Sequence, residues 1–208
     1  MTTGSDLLEL SPVMPVVVID DADDAVPTAR ALLAGGIGVI ELTLRTPAAL
    51  AAIERVATEV PEIVVGAGTV TSPGQAKQAA DAGARFLVTP GCTDAVVDAC
   101  FDSGVPFLPG AATVSEAMRL AERGLSALKF FPAEASGGVT FLKSIAGPLP
   151  GLRFCPTGGI TPASAPSYLA LPNIGCVGGS WFTPKSVLAA KDFATVESLA
   201  AEAAKLRV

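Results

Sequence analysis

The sequence predicts an α/β fold: a single-domain (β/α)8 TIM barrel over residues 1–208, with a short N-terminal extension and a C-terminal helix. Three observations predict it. Eight short apolar, β-branched runs recur, with starts roughly 20 to 25 residues apart; alanine-rich stretches of helical apolar spacing fill the intervals; clusters of small residues follow the runs. Continuous apolar strands alternating with helices belong to a parallel sheet covered by those helices. An open doubly wound sheet is the next choice. A leucine-rich repeat shares the period, but its Leu-x-x-Leu-x-Leu frame is missing.

In chain order the expected strands are Met14 to Ile19, Val39 to Leu44, Ile63 to Val65, Phe86 to Val88, Pro106 to Leu108, Leu128 to Phe131, Arg153 to Cys155 and Ile174 to Val177. Each combines apolar and β-branched or aromatic residues, which suit a pleated, buried surface. Helical spacing is clearest over Ala48 to Val60, Gln75 to Ala82, Asp94 to Phe101 and Ser115 to Ala121, and Val187 to Val208 reads as one terminal helix. Gly66-Ala67-Gly68-Thr69, Thr89-Pro90-Gly91, Pro109-Gly110-Ala111, Phe131-Pro132-Ala133, Pro156-Thr157-Gly158-Gly159 and Gly178-Gly179-Ser180 follow strands. Small residues let a ligand approach the backbone. In a parallel barrel these C-terminal strand ends form the face that carries active sites.

Composition narrows the chemistry. The 208 residues are 50% hydrophobic and include no histidine, which removes Ser-His and Cys-His nucleophile pairs, an imidazole base and imidazole metal ligands. A net charge of -6 with 14 scattered Lys and Arg argues against a nucleic-acid partner. No apolar run approaches the length of a membrane span, and the start MTTGSDLLEL lacks the basic opening and apolar core of a signal peptide. A cytoplasmic protein is expected. Cys92, Cys100, Cys155 and Cys176 lack a C-x-x-C pair and read as reduced, mostly buried thiols rather than a disulfide or metal set.

Polar residues inside apolar strands are the candidates for chemistry. In Ile40-Glu41-Leu42-Thr43-Leu44-Arg45, alternation puts Glu41, Thr43 and Arg45 on one side, facing the barrel interior if Ile40, Leu42 and Leu44 pack under helices. An internal ion pair, with Arg153 as one candidate partner, is the structural alternative, and spacing leaves the two readings open. Lys129 interrupts another apolar strand. It either pairs with Glu41 or reaches a barrel mouth as a structural cation, or it is an amine left neutral by desolvation and a nearby cation such as Arg45. A neutral amine attacks a carbonyl and forms a Schiff base, the preferred reading. Gly158-Gly159 and Gly178-Gly179-Ser180 close the last two strands, where barrels often bind phosphate through backbone N–H groups. Neither G-x-x-x-x-G-K-[ST] nor a strand leading into G-x-G-x-x-G is present, so no nucleotide cofactor is indicated.

Together, Glu41-Leu-Thr-Leu-Arg45, Gly66-Ala-Gly-Thr69, Lys129-Phe-Phe-Pro-Ala-Glu134, Arg153-Phe-Cys-Pro-Thr-Gly-Gly-Ile160 and Gly178-Gly-Ser-Trp181 resemble the 2-dehydro-3-deoxy-phosphogluconate (KDPG) aldolase and 4-hydroxy-2-oxoglutarate aldolase family over about residues 12 to 190. The resemblance implies a class I aldolase needing no metal or cofactor, a (β/α)8 barrel and a homotrimer. It also implies a phosphorylated keto-acid substrate, the Entner-Doudoroff pathway and no membrane partner. By the same resemblance Lys129 forms the imine and Glu41 is the general acid/base. Arg45 and Thr69 hold the pyruvate carboxylate, Pro90 and Phe131 wall the imine, and Gly158, Gly159, Gly179 and Ser180 take the phosphate. Residues 109 to 116 depart from some relatives at Ala111-Ala112, where substrate tuning is at stake. Rival readings are an aldolase of the 6-phosphogalactonate series, a non-covalent phosphate-binding isomerase or decarboxylase, and a non-catalytic sugar-phosphate binder.

Overall fold

The computed structural model describes residues 4–206. The first three residues of the expected N-terminal extension and the last two of the expected terminal helix lie outside the described residues. The strands are β1 (Val13–Val17), β2 (Val39–Thr43), β3 (Val64–Gly68), β4 (Leu87–Val88), β5 (Phe107–Leu108), β6 (Gly110–Ala111), β7 (Ala127–Phe130), β8 (Arg153–Pro156) and β9 (Val177–Gly179). Helices α1 (Gly4–Leu7), α2 (Ala25–Ala34), α3 (Ala49–Glu59), α4 (Pro73–Asp81), α5 (Asp94–Asp102), α6 (Val114–Glu122), α7 (Gly138–Ile145), α8 (Ala165–Leu169), α9 (Lys185–Ala189) and α10 (Phe193–Ala204) complete the chain.

All strand pairs are parallel. One sheet runs β5-β4-β3-β2-β1-β9 and a second runs β6-β7-β8, together forming a curled parallel α/β fold. Isolated parallel bridges, Phe154↔Ile174 and Thr157↔Gly178, join β8 to the segment leading into and through β9. On the other side, Pro109 separates β5, which falls within the expected strand and pairs with β4, from β6, which lies in the small-residue cluster expected to follow that strand and pairs with β7. Proline has no N–H to give a ladder, so the pairing breaks there. Strand interiors are fully buried, and Phe86, Phe130, Phe154 and Phe182 are among the largest enclosed side chains. No helix of the described residues is long and apolar enough to cross a membrane.

The helix caps follow local chemistry. Ser72, Thr93 and Thr113 cap α4, α5 and α6 by accepting from backbone N–H groups, satisfying donors that a first turn leaves unpaired. Three expectations need correction. The single helix expected from Val187 is two, because Lys191 takes a left-handed φ of 54° and Asp192 starts α10 by accepting from the Thr195 N–H at 3.1 Å. The last strand begins at Val177, and Ile174 makes only an isolated bridge. Arg153 pairs with Glu9 at the surface rather than with Glu41, because it opens β8 while Glu41 lies mid-strand. The N-terminal extension carries α1 and buries Leu7 and Leu8 in the core.

Candidate active site

Glu41 is the central residue of β2, opposite Val16 of β1 and Gly66 of β3. Lys129 lies between Gly110 of β6 and Cys155 of β8, its N–H donating to the Pro109 carbonyl at 2.8 Å. The two strands bring the side chains together. Lys129 Nζ donates to Glu41 Oε1 at 3.3 Å, with only 4% and 1% of the side chains exposed. A buried ion pair is expensive to desolvate and a poor source of stability, so its retention points to use. The Phe131 ring lies 5.5 Å from the amine.

Arg45 stands just beyond β2 and is exposed, where its Nε donates to the Thr69 hydroxyl at 3.0 Å. Thr69 has a φ of 60°, a left-handed conformation that costs a non-glycine residue energy and clusters at functional sites. Pro90 is drawn in by a close backbone approach: a Cβ on Gly110, the neighbour of Lys129, would lie 2.3 Å from the Pro90 carbonyl.

A cavity of about 340 Å³ opens at the C-terminal strand ends, with walls that include Arg45, Phe131, Gly158, Gly159, Gly179 and Ser180. Glu41, Lys129, Thr69 and Pro90 are not among its lining residues; Phe131 connects it to the amine. Gly158 and Gly159 take φ values of 105° and 83°, so their backbone lies bare against the cavity. The turn is braced, since Glu134 N–H donates to the Gly158 carbonyl at 3.1 Å and the Tyr168 hydroxyl donates to Glu134 Oε1 at 2.7 Å. Burial, and then Glu134, pushes the Tyr168 hydroxyl well above the ordinary tyrosine range. Thr157, Thr183 and Lys185 also line the cavity and were not picked out as site residues by their side chains in the sequence. Lys185 lies five residues beyond Ser180, where only its closeness to the Gly-Gly-Ser cluster gave a signal. Among the described residues lining the cavity, Arg45 and Lys185 are charged and no carboxylate faces it.

Near the Lys129 strand, Thr89 Oγ1 lies 2.8 Å from Cys92 Sγ and accepts from the Gly110 N–H at 2.9 Å. Burial pushes the Cys92 thiol up, away from nucleophilic use. Among the described residues no three His, Cys, Asp or Glu side chains gather as a metal site.

A parallel α/β fold with a buried amine and carboxylate in contact, beside a cavity with two cations at its strand ends, suits a lysine-dependent carbon–carbon lyase, and the relatives belong to that class. The family model "KDPG and KHG aldolase" matches residues 5–199. The KHG/KDPG aldolase of Escherichia coli is 48% identical over 202 residues, covering 97% of this chain and 95% of its own. A KDPG aldolase from Legionella pneumophila, with pyruvate captured as a covalent carbinolamine, superposes with a TM-score of 0.96 at 44% identity, covering 98% of both chains. The Zymomonas mobilis aldolase with 3-phosphoglycerate gives 0.93 at 48% identity, covering 100% of this chain and 97% of its own. This chain belongs to the KDPG and KHG aldolase family.

Proposed function

We propose that this chain is a class I aldolase cleaving 2-dehydro-3-deoxy-6-phosphogluconate to pyruvate and glyceraldehyde 3-phosphate, with Lys129 as the imine-forming residue and Glu41 as its acid/base partner. The observation that carries the assignment of residues is the buried 3.3 Å contact between them. Covalent chemistry is further supported by the carbinolamine captured in the Legionella relative. The name of the Escherichia coli relative supports a second substrate, 4-hydroxy-2-oxoglutarate, giving pyruvate and glyoxylate.

The steps follow from the contact. Glu41 is placed to take a proton from Lys129, and the neutral amine attacks the C2 ketone; Glu41 returns that proton to the carbinolamine hydroxyl, which leaves as water, so that Glu41 is again a carboxylate and the protonated imine serves as an electron sink. Glu41, directly or through one water, then removes the proton of the C4 hydroxyl. The C3–C4 bond breaks, the aldehyde departs, and the enamine is protonated at C3 before hydrolysis frees pyruvate and Lys129. Arg45 and Thr69 hold the carboxylate, Pro90 and Phe131 wall the imine, and Gly158, Gly159, Gly179 and Ser180 hold the phosphate. Anchoring both ends aligns the scissile bond with the imine.

The proposal extends to assembly. The two sheets are read as one closed (β/α)8 barrel and a single domain, supported by the Lys129–Pro109 backbone bond and the two bridges from β8. A homotrimer is supported by exposed Phe101, Val114 and Met118 on α5 and α6, apolar surface that a second copy would cover. A cytosolic setting fits four cysteines none of which forms a disulfide, and central carbohydrate catabolism fits the substrate.

The deciding experiment is incubation with pyruvate, reduction with borohydride and peptide mass spectrometry. An adduct on Lys129 is expected; a folded protein with no adduct would favour a non-covalent isomerase, decarboxylase or binding protein.

A further inference from the structure

The cavity holds a cation, Lys185, that takes no part in the imine chemistry. Lys185 is the first residue after Pro184 and lines the same cavity as Gly158, Gly159, Ser180 and Thr183. Its side chain is exposed and makes no ion pair among the described residues, whereas Lys191, just beyond the other end of α9, is bound to Asp24 at 3.0 Å. The other cation of the cavity, Arg45, is engaged through Nε by Thr69, on the β2 and β3 side. Lys185 comes from the β9 side, with the bare left-handed glycines and two hydroxyls.

A six-carbon keto-acid phosphate carries one negative charge at C1 and up to two at C6, so a cation at each end neutralises charge that backbone N–H groups only orient. Arg45 follows β2 and Lys185 follows β9, strands separated by β1, so the cavity receives one cation from each side, and no carboxylate on its described walls competes. An ammonium on a flexible stem is a point charge that follows a phosphate group, and contacts involving a charged partner are about twice as strong as neutral ones. Backbone N–H groups and hydroxyls orient a phosphate without neutralising it. We propose that Lys185 is the residue that neutralises the terminal phosphate and sets this chain's preference for phosphorylated over unphosphorylated keto acids. The inference rests on the aldolase reading above and adds to it a specificity-determining residue outside the imine chemistry.

The test compares wild type with K185Q and K185R on two substrates, 2-dehydro-3-deoxy-6-phosphogluconate and 4-hydroxy-2-oxoglutarate. In K185Q the KM for the phosphorylated substrate rises roughly 5- to 50-fold. Its kcat stays within about twofold of wild type, and the KM for the unphosphorylated substrate does not move. K185R keeps the wild-type KM. Inorganic phosphate titrated against the fluorescence of Trp181, the only tryptophan and stacked over Gly179, gives a readout without turnover: K185Q binds phosphate more weakly and with a shallower salt dependence. An equal KM change for both substrates, or unchanged phosphate binding in K185Q, overturns the role of Lys185 while wild-type turnover and the pyruvate adduct leave the aldolase reading intact. Wild type with neither adduct nor turnover overturns both.

Discussion

A Cβ on residue 68 would stand 2.0 Å from Glu41 Oε1 and 2.6 Å from its Cγ and Cδ, so Glu41 holds its place because Gly68 has no side chain. The carboxylate fills the space where β3 ends. Gly68→Ala therefore displaces Glu41 from Lys129 while leaving both residues unsubstituted. We expect kcat to fall by about 10²-fold or more, the scale of a lost general acid/base, with a stability loss of about 1–3 kcal/mol from overpacking. Steady-state kinetics beside thermal unfolding checks this, and wild-type kcat in a folded Gly68→Ala protein would mean that Glu41 need not sit where it does.

Lys129 and Glu41 separate by their variants. Lys129→Met removes the nucleophile and leaves a buried carboxylate without its partner, so no pyruvate adduct forms and stability drops by about 3–5 kcal/mol. Glu41→Gln keeps the shape and a hydrogen-bonding end. It retains a borohydride-trappable adduct, while kcat falls about 10²- to 10⁴-fold. An adduct in Lys129→Met at another residue would move the imine elsewhere; full turnover in Glu41→Gln would remove Glu41 from proton transfer.

The residues that could be read from sequence are those whose local pattern carries the information. Glu41 and Lys129 stood out as charges inside apolar strands, because alternation fixes a strand residue's side once its neighbours are known. Their mutual contact, one of the readings the lysine left open, spans 88 positions and depends on sheet curvature, which no local pattern encodes. Arg153 misled for the same reason: its strand was right, but its height at the start of β8 was not visible, and Glu9 from the segment before β1 took it. The break after Ala190 was written in Asp192-Phe193-Ala194-Thr195, a capping pattern hidden by alanine-rich flanks that suit a continuous helix. Lys185 opens the five-residue α9, too short a helix for periodicity to mark it.

Glu116 closes a capping box on α6, its Oε2 accepting from the Ala112 and Thr113 N–H groups at 2.8 and 2.9 Å while Thr113 accepts from the Glu116 N–H. The Ala112 backbone bond, foremost, holds the carboxyl below its ordinary range. A depressed value in the folded state means that the contribution is present above the ordinary carboxylate pKa and is lost as pH falls through the folded one. Glu116→Ala should therefore lower stability by about 0.5–2 kcal/mol at neutral pH. Paired thermal melts should show the gap to wild type closing below about pH 4.5. A gap independent of pH would assign the effect to helix propensity rather than to the carboxylate.

Tyr168 ties stability at high pH to the turn beside the cavity. Its hydroxyl donates to Glu134 Oε1, and the Glu134 backbone N–H holds the Gly158 carbonyl, so one side chain braces the loop assigned to phosphate. Burial and the facing carboxylate raise the folded pKa above the ordinary value of 10.0, so above that pH the unfolded chain gives up its tyrosine proton while the fold retains it. The unfolded state then binds fewer protons, and stability falls as pH rises. Urea midpoints of wild type should decline above about pH 10, and the decline should be shallower in Tyr168→Phe, which carries no ionisable hydroxyl. At neutral pH the same variant loses one hydrogen bond to the exposed Glu134 carboxylate, costing about 0.5–1.5 kcal/mol, and it should raise KM for the phosphorylated substrate more than it changes kcat. Equal pH slopes in the two proteins would place the alkaline transition on other groups, and an unchanged KM would show that the Gly158–Gly159 turn keeps its shape without the tyrosine.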